Sequence, residues 1–241
     1  KPDASTSLEN HGIYLNSGGS FEIAYNWIEN IPGGNGLQIH AADYVDNLNV
    51  HHNLIQAVGK HGINLAEGSR NNIAVWNNVV TQTQSAGLRM GGTSYIQGLK
   101  VFNNVFYQTG LVGNTPSSGA LTNEMNTASN QMEVRNNIFW PKSGSAYASG
   151  VFSASNGLFT NNLFHGGAAT PGFGNASLSA DPLFVNPAGG DFHLQAGSPA
   201  IDAGSSAVSA LVKDDFDAAS PSRSQTLRPL GAAFDIGPFE Q

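Results

Sequence analysis

The sequence predicts an all-β protein that folds as a right-handed parallel β-helix, a solenoid of about six coils with a C-terminal capping tail. Three observations lead to this prediction: a composition poor in charged residues, a short motif that recurs about every 25 residues, and alternating strands with no helical period between them. We expect one domain, with the coils in residues 1–165 and the terminal coils and capping segment in residues 166–241.

The composition favours strands and turns over helices. The chain has 241 residues, enough for one sizeable core, yet only 11% of them are charged and 29 are glycine. Helix surfaces are usually built from the charged residues that are scarce here.

Charge and residue usage exclude several classes of protein. A net charge of −7 argues against a nucleic-acid partner, which would need a basic surface. No run approaches the roughly 18 to 20 apolar residues of a membrane span, and nothing at the N-terminus is typical of a signal peptide. The absence of cysteine excludes disulfides, thiolate metal sites and cysteine nucleophiles. We expect a mature form or a piece of a longer chain.

A motif of one or two polar residues ending in asparagine, followed by two apolar residues, recurs along the first two thirds of the chain. Its copies lie at Tyr25–Ile28, His52–Ile55, Asn77–Val80, Asn103–Phe106, Asn136–Phe139 and Asn161–Phe164. The spacing is about 25 residues, with one longer interval before Asn137.

Two further patterns keep step with this motif. Alternating runs that follow a glycine begin at Gly12, Gly36, Gly62 and Gly87, and a second set of alternating runs includes Phe21–Ile23, Leu48–Val50, Ile73–Val75, Leu99–Val101 and Met132–Val134. Alternation at period two indicates strands with one buried face. Three short strands per repeat match one coil of a parallel solenoid.

Stacking of the coils predicts two internal rows. We expect Ile13, Leu37, Ile63 and Leu88 to stack as one buried row, and Asn26, Asn53, Asn78 and Asn104 to stack at one corner. The corner asparagines would adopt left-handed backbone geometry and bond their neighbours above and below. The longer interval, residues 110–131, is interpreted as a loop that leaves the solenoid and walls a groove.

The last 60 or so residues carry segments that resemble the C-terminal element of many secreted bacterial β-helix proteins. These segments are DPLF from Asp181, GDFHL from Gly190, GSPAIDAG from Gly197 and DIGPFE from Asp235. An open solenoid end exposes apolar core and unpaired strand edges, so we expect the tail to pack over the final coil. The contacts would be made by Phe184, Phe192, Leu194, Ile201 and Ile236.

The repeats resemble the coils of the pectate-lyase-like superfamily, which includes polysaccharide lyases, mannuronan epimerases and glycoside hydrolases. This resemblance implies the fold and does not fix the reaction. The second and third coils are faintly similar to the epimerase coil that bears a catalytic Asp and His. Gln38 stands where an acid would be expected, so the match carries over at His40.

The outward positions of the first strand set form the predicted site. Tyr14, Gln38, Asn64 and Arg89 alternate with the buried row, so they point outward from successive coils. The strand ends add further polar residues to this face: His11, Asn35 and His61 at one end, and Asn16, His40 and Ala66 at the other. Such a mixture of proton-transfer groups and hydrogen-bonding groups suits a carbohydrate.

We expect catalysis from His40 as base, Tyr14 as proton donor or acceptor, and Arg89 as a clamp on a uronate carboxylate. The expected substrate-binding residues are His11, Gln38, His61, Asn64, Glu67 and Trp76. Each of these residues could instead be an ordinary solvated or packed side chain. Trp76 and Phe102 occupy outward positions of the second strand set, where a ring could stack on a sugar or pack beneath a loop.

No metal site and no cofactor are expected. Calcium needs several oxygen ligands, and the nearest acidic pair is Asp43 with Asp46. Asp214, Asp215 and Asp217 in the tail are interpreted as surface turns.

Three functions remain open at the level of sequence. The first is a secreted or cell-surface polysaccharide lyase that acts by β-elimination on an acidic polysaccharide. The second is a glycoside hydrolase, which needs two carboxylic acids on the groove, from Glu67, Glu124 or a loop Asp. The third is a non-catalytic glycan-binding or structural solenoid. We expect a polysaccharide as partner and an N-terminal domain or subunit over the open first coil, and we expect neither nucleic-acid binding nor membrane insertion.

Overall fold

The computed structural model describes residues 10–40, 44–92, 96–113, 117–125, 131–150, 152, 157–168, 174–219 and 226–241. The chain is a right-handed parallel β-helix, as predicted, with three parallel sheets and three short 3-10 helices. Within the described residues, no helix has the length and apolar character needed to cross a membrane.

Each of six coils contributes to each of three sheets. In sheet B the fourth coil contributes two short strands, and in sheet C the strand Leu178–Ser179 follows the sixth coil. Sheet A consists of Ile13–Leu15, Leu37–Ile39, Ile63–Leu65, Leu88–Met90, Leu121–Asn123 and Ala148–Gly150. Sheet B consists of Gly18–Ala24, Tyr44–His51, Ser69–Trp76, Ile96–Gln97, Leu99–Phe102, Met132–Arg135 and Gly157–Thr160. Sheet C consists of Trp27–Ile31, Leu54–Val58, Val79–Thr83, Val105–Thr109, Ile138–Trp140, Leu163–Phe164 and Leu178–Ser179. We number the coils 1 to 6 in chain order.

The tail adds little regular structure. Phe184–Asn186 and Asp191–Leu194 form an antiparallel hairpin. The 3-10 helices are Pro187–Gly189, Ser206–Val208 and Phe216–Ala219.

The predicted apolar row is confirmed. Ile13 pairs with Leu37, Leu37 with Ile63, and Ile63 with Leu88, all in parallel register. Leu37, Ile63 and Leu88 are fully buried, while Ile13 in the first coil is half-buried. Burying such a side chain stabilises the folded state by about 1.5–3 kcal/mol, so each coil that adds one residue to this row contributes about that much stability.

An asparagine ladder fixes the corner between sheets B and C, as predicted. The ladder runs through Asn26, Asn53, Asn78, Asn104, Asn137 and Asn162. Each ladder residue but the last donates its backbone N–H and its side-chain amide to the Oδ1 of the next coil's asparagine. The left-handed residue is the one before each ladder position, for example His52 and Asn77, so that detail of the prediction was wrong.

The residues that precede the ladder anchor the tail. Their side chains donate to tail carbonyls: His52 to Asp215, Asn77 to Asp214, Asn103 to Asp235 and Gly237, Asn136 to Ser205, and Asn161 to Ala203. One residue of each repeated motif therefore holds the tail and the next builds the ladder. In coil 1 the matching position is Tyr25, which is 53% exposed.

The tail lies along the sides of the coils, which corrects the expectation that it packs over the final coil. The apolar tail residues named in that prediction pack on the outward row of sheet C. This row comprises Val79, Val105, Ile138 and Leu163, which belong to four successive coils. The physical reason is that this row is apolar and outward-facing, so it needs a cover along its whole length.

The interval 110–131 also differs from its prediction as a loop. It contains Leu121–Asn123, the sheet A strand of coil 5, paired with Leu88–Met90 of coil 4. The ladder step from Asn104 to Asn137 is 33 residues, against 25 from Asn53 to Asn78. The additional residues flank the sheet A strand.

Candidate functional site

The outward row of sheet A is arranged as predicted. Tyr14 pairs with Gln38, Gln38 with Asn64, and Asn64 with Arg89, one residue per coil. Thr122 and Ser149 continue the row in coils 5 and 6. Parallel strands lie about 4.8 Å apart, so this row spans several sugar units of a glycan laid across the coils.

Hydrogen bonds join the middle of this row into one network. Gln38 Oε1 accepts from Asn35 Nδ2 at 2.6 Å and from Asn64 Nδ2 at 2.8 Å. Asn64 Oδ1 accepts from Arg89 at 3.1 Å. Gln38 and Asn64, which were expected to bind substrate, are 7% and 6% exposed, so they offer little surface to a substrate and mainly orient Arg89.

Arg89 forms an ion pair with Glu124, which the coil 5 insertion brings onto the same face. Its Nη2 and Nε lie 2.5 and 3.1 Å from Glu124 Oε2, and Ser117 donates to the other carboxylate oxygen. Burial alone would raise the pKa of Glu124, but the hydrogen bonds from Arg89 and Ser117 outweigh burial and lower that pKa. Glu124 is therefore held as a carboxylate.

Gly91 makes room for this ion pair. A Cβ atom at this position would lie 2.2 Å from Arg89 Cζ, so the guanidinium lies across a residue without a side chain. Gly91 N–H donates to Leu65 O, which keeps coil 4 in register at this point.

His40 stands at the C-terminal end of its strand with oriented partners. Its Nε2 lies 3.6 Å from Glu67 Oε2, and its Nδ1 lies 3.5 Å from Asn16 Oδ1. The ring of Tyr14, which is 54% exposed, is stacked 6.2 Å from that of His40. A histidine with a carboxylate beside one ring nitrogen has the arrangement of a general base.

The turn that carries Glu67 is fixed from inside the β-helix. The guanidinium of Arg70, fully buried, donates to the carbonyls of Gly68, Ile39 and Glu67. Burial lowers the pKa of Arg70 to about 10. The buried arginine therefore fixes the backbone of the turn at Glu67, while the Glu67 side chain is 70% exposed.

His11 and His61 occupy the opposite edge of the face. His11 Nδ1 accepts from the backbone N–H of Asn35, and His61 Nδ1 accepts from that of Ala86, both at 3.1 Å. A backbone N–H requires a bare nitrogen, so in both rings the hydrogen is on Nε2. Each of these two residues therefore has a hydrogen-bond donor at Nε2.

Trp76 does not reach a substrate, contrary to its prediction as a sugar-stacking residue. It is 7% exposed, stacks on His51 at 4.2 Å, and packs in a cluster with Phe102 and tail residues including Phe234. The outward face of sheet B is covered here by the tail, which the alternation pattern alone does not reveal.

A second polar cluster, where the tail meets coils 1 and 2, was missed by the sequence analysis. His193 lies between two carboxylates, 2.6 Å from Asp191 and 3.0 Å from Asp217. Burial disfavours its charge, but the hydrogen bonds to Asp217 and Asp191 raise the pKa of His193. Trp27 stands beside this cluster and is 70% exposed. The alternation of Asp and His in Gly190–Leu194 was the available signal.

Across the described ranges, no group of three or more His, Asp or Glu side chains is placed to hold a metal ion. Asp46 accepts hydrogen bonds from Asn71, and its predicted partner Asp43 lies outside the described residues.

Comparisons with known proteins agree on the fold. No family model matches the chain, and no curated protein matches its sequence. A search of solved structures finds the crystal structure of pectate lyase Pel9A, with a TM-score of 0.54 and 14% identity. The match covers 97% of this chain and 62% of that one, so the chain spans less than two thirds of the lyase. The protein therefore has a pectate-lyase-like parallel β-helix fold.

Proposed function

We propose that the protein is an extracellular polysaccharide-degrading enzyme that cleaves an acidic polysaccharide by β-elimination on the outward face of sheet A. The observation that supports this proposal is that His40, with Glu67 3.6 Å from its Nε2, lies on the same outward face of sheet A as the guanidinium of Arg89. Elimination beside a uronate carboxylate needs a base for the proton and a cation for the charge that develops.

In this mechanism the substrate carboxylate takes the place of Glu124 on Arg89. His40 removes the proton from the carbon next to the carboxylate, a carbon–carbon double bond forms, and the glycosidic carbon–oxygen bond breaks. The leaving oxygen takes a proton from the Tyr14 hydroxyl. His40 and Arg89 lie two coils apart, about 10 Å at the usual strand spacing, and the long Arg89 side chain shortens this gap as it turns toward the substrate.

Glycoside hydrolysis is a second candidate, because Glu124 lies on the outward face of sheet A in an ion pair with Arg89. Glu67 and Glu124 are two coils apart along the same edge of sheet A. Inverting hydrolases need two carboxyl groups about 6.5–9.5 Å apart. Since the pKa of Glu124 is lowered, Glu124 would activate the water and Glu67 would be the acid.

The test is a panel of acidic and neutral polysaccharides, read by ultraviolet absorbance of unsaturated uronates and by new reducing ends. Both signals on an acidic polysaccharide support the lyase. Reducing ends without absorbance support the hydrolase and overturn elimination. Binding with neither signal supports a glycan-binding solenoid and overturns the enzyme.

Variants assign the roles. His40→Ala should abolish turnover with little change in binding, and Arg89→Ala should weaken both, because a charge clamp acts in the ground and transition states. His165→Ala and Arg135→Ala are matched controls, since both are half-buried and lie off sheet A in ion pairs with Asp181 and Glu133. Glu124→Gln keeps the lyase product but abolishes hydrolysis. Full activity of both His40→Ala and Arg89→Ala would show that the active site is not on sheet A.

We propose further that the protein acts outside the cell, and that its macromolecular partner is a polysaccharide and not a nucleic acid or a membrane. The negative net charge of −7 and the polar side chains on the outward face of sheet A support this proposal. A domain or subunit over coil 1 stays a prediction.

A further inference from the structure

A cleft lies between the first two coils and the tail, on a different side of the β-helix from sheet A. Its volume is about 430 Å³, within the roughly 300–1,000 Å³ of small-molecule sites. The cleft exists because the tail is anchored on coils 2 to 6, while coil 1 presents Tyr25 at the anchoring position. The hairpin residues Gly190 and Asp191 form the facing wall.

Two exposed aromatic rings form one side of the cleft. Trp27 is 70% exposed, and its indole N–H donates to Glu29 at 3.0 Å, which restrains the ring. Tyr25 stacks on the buried ring of His52 at 5.0 Å. Large aromatic rings held open to solvent mark interaction sites, and their flat faces suit the C–H face of a sugar ring.

The opposite side carries rigid hydrogen-bond acceptors. Asp191 and Asp217 are both hydrogen-bonded to His193, which fixes their carboxylates, and an ionised carboxylate offers about four acceptor positions. The turn before Asp191 is also fixed, because Asn186 caps Pro187–Gly189 and Gly190 takes the left-handed conformation. Carboxylates accept strong hydrogen bonds from hydroxyl groups.

The charge of the cleft selects among sugars. The carboxylates of Asp191 and Asp217 line the cleft, and the neighbouring His52 is kept neutral because burial lowers its pKa to about 4. Carboxylates on the wall of a cleft, in a chain of net charge −7, disfavour a uronate. We propose that this cleft binds a neutral pyranose unit of a glycan, stacked on Trp27 and hydrogen-bonded to Asp191 and Asp217.

The test is a titration of the whole chain with neutral oligosaccharides of glucose, xylose, mannose and galactose, and with oligogalacturonate. Binding is followed by calorimetry and by tryptophan fluorescence. A neutral oligosaccharide should change the emission of the wild-type chain but not that of Trp27→Ala, since Trp27 lines the cleft whereas Trp76 and Trp140 do not. Trp27→Ala and Asp191→Ala should each weaken binding by roughly tenfold or more.

Tyr44→Ala is the matched control, because Tyr44 is 51% exposed and does not line the cleft. It should leave affinity unchanged, and thermal unfolding should show that all three variants fold. His40→Ala should also bind normally, so loss of cleavage on sheet A is distinguishable from loss of this site. Absence of neutral-glycan binding, wild-type affinity in either the Trp27→Ala or the Asp191→Ala variant, or preference for oligogalacturonate would each overturn the proposal.

Discussion

Replacement of Asn104 by alanine should destabilise the β-helix more than any substitution at the open end of the ladder. Asn104 is fully buried and its side chain makes the equivalent of about four hydrogen bonds: the two Nδ2 hydrogens are shared among Val75 O, Phe102 O and Asn137 Oδ1, and Oδ1 accepts from the two amides of Asn78. At about 1 kcal/mol each, these bonds predict a loss of about 4–5 kcal/mol, because several of the orphaned partners are buried.

Asn26→Ala is the internal comparison. Asn26 is half-buried in coil 1 and its side chain makes two hydrogen bonds, to Ala24 O and Asn53 Oδ1. Its loss should cost about 1–2 kcal/mol. Urea unfolding followed by circular dichroism gives both values. If the two variants differed by less than about 1 kcal/mol, the ladder would not be the cooperative element that we infer.

Two further predictions concern the contacts between tail and coils. Burial lowers the pKa of His52 to about 4, below its ordinary 6.5, so the folded state should lose about 3 kcal/mol as the pH falls from 7 to 4. The His52→Asn variant lacks this titrating group, so the difference in unfolding free energy between wild type and variant should shrink by about 3 kcal/mol between pH 7 and pH 4. Asp235, whose pKa is raised to about 6, is present in both proteins, so its contribution cancels in this difference. A constant difference at both pH values would show that His52 is not held neutral. Arg228→Ala should cost about 3–5 kcal/mol in urea unfolding, because it leaves the buried Glu240 carboxylate unpaired, and adding Glu240→Ala should restore part of that loss. No recovery in the double variant would contradict this pairing.

The fold could be predicted because it repeats. Period-two alternation specified which residues of sheet A point inward, and the stacking of Ile13, Leu37 and Ile63 followed from the spacing alone. The same repetition placed Tyr14 and Arg89 on one outward face.

The rest depended on contacts that do not repeat. Glu124 reaches Arg89 through an insertion in a single coil, and 35 residues separate the two in the chain. Trp76 is covered by a tail that lies more than 130 residues further along the sequence. Periodicity carries no information about such partners, so the expected sugar platform proved to be core and the cleft at Trp27 was missed.

The ladder also determines where the coils can vary. Its asparagines must meet at every coil, so the corner between sheets B and C has a constant path and the tail bonds beside it at every coil from 2 to 6. The extra residues of coil 5 enter beside sheet A, away from that corner, and they deliver Ser117 and Glu124 to the groove. Insertions and substitutions can therefore change the sheet A side one coil at a time, while the opposite corner preserves the register. The solenoid thus has one side that can diversify in sequence and one corner that cannot.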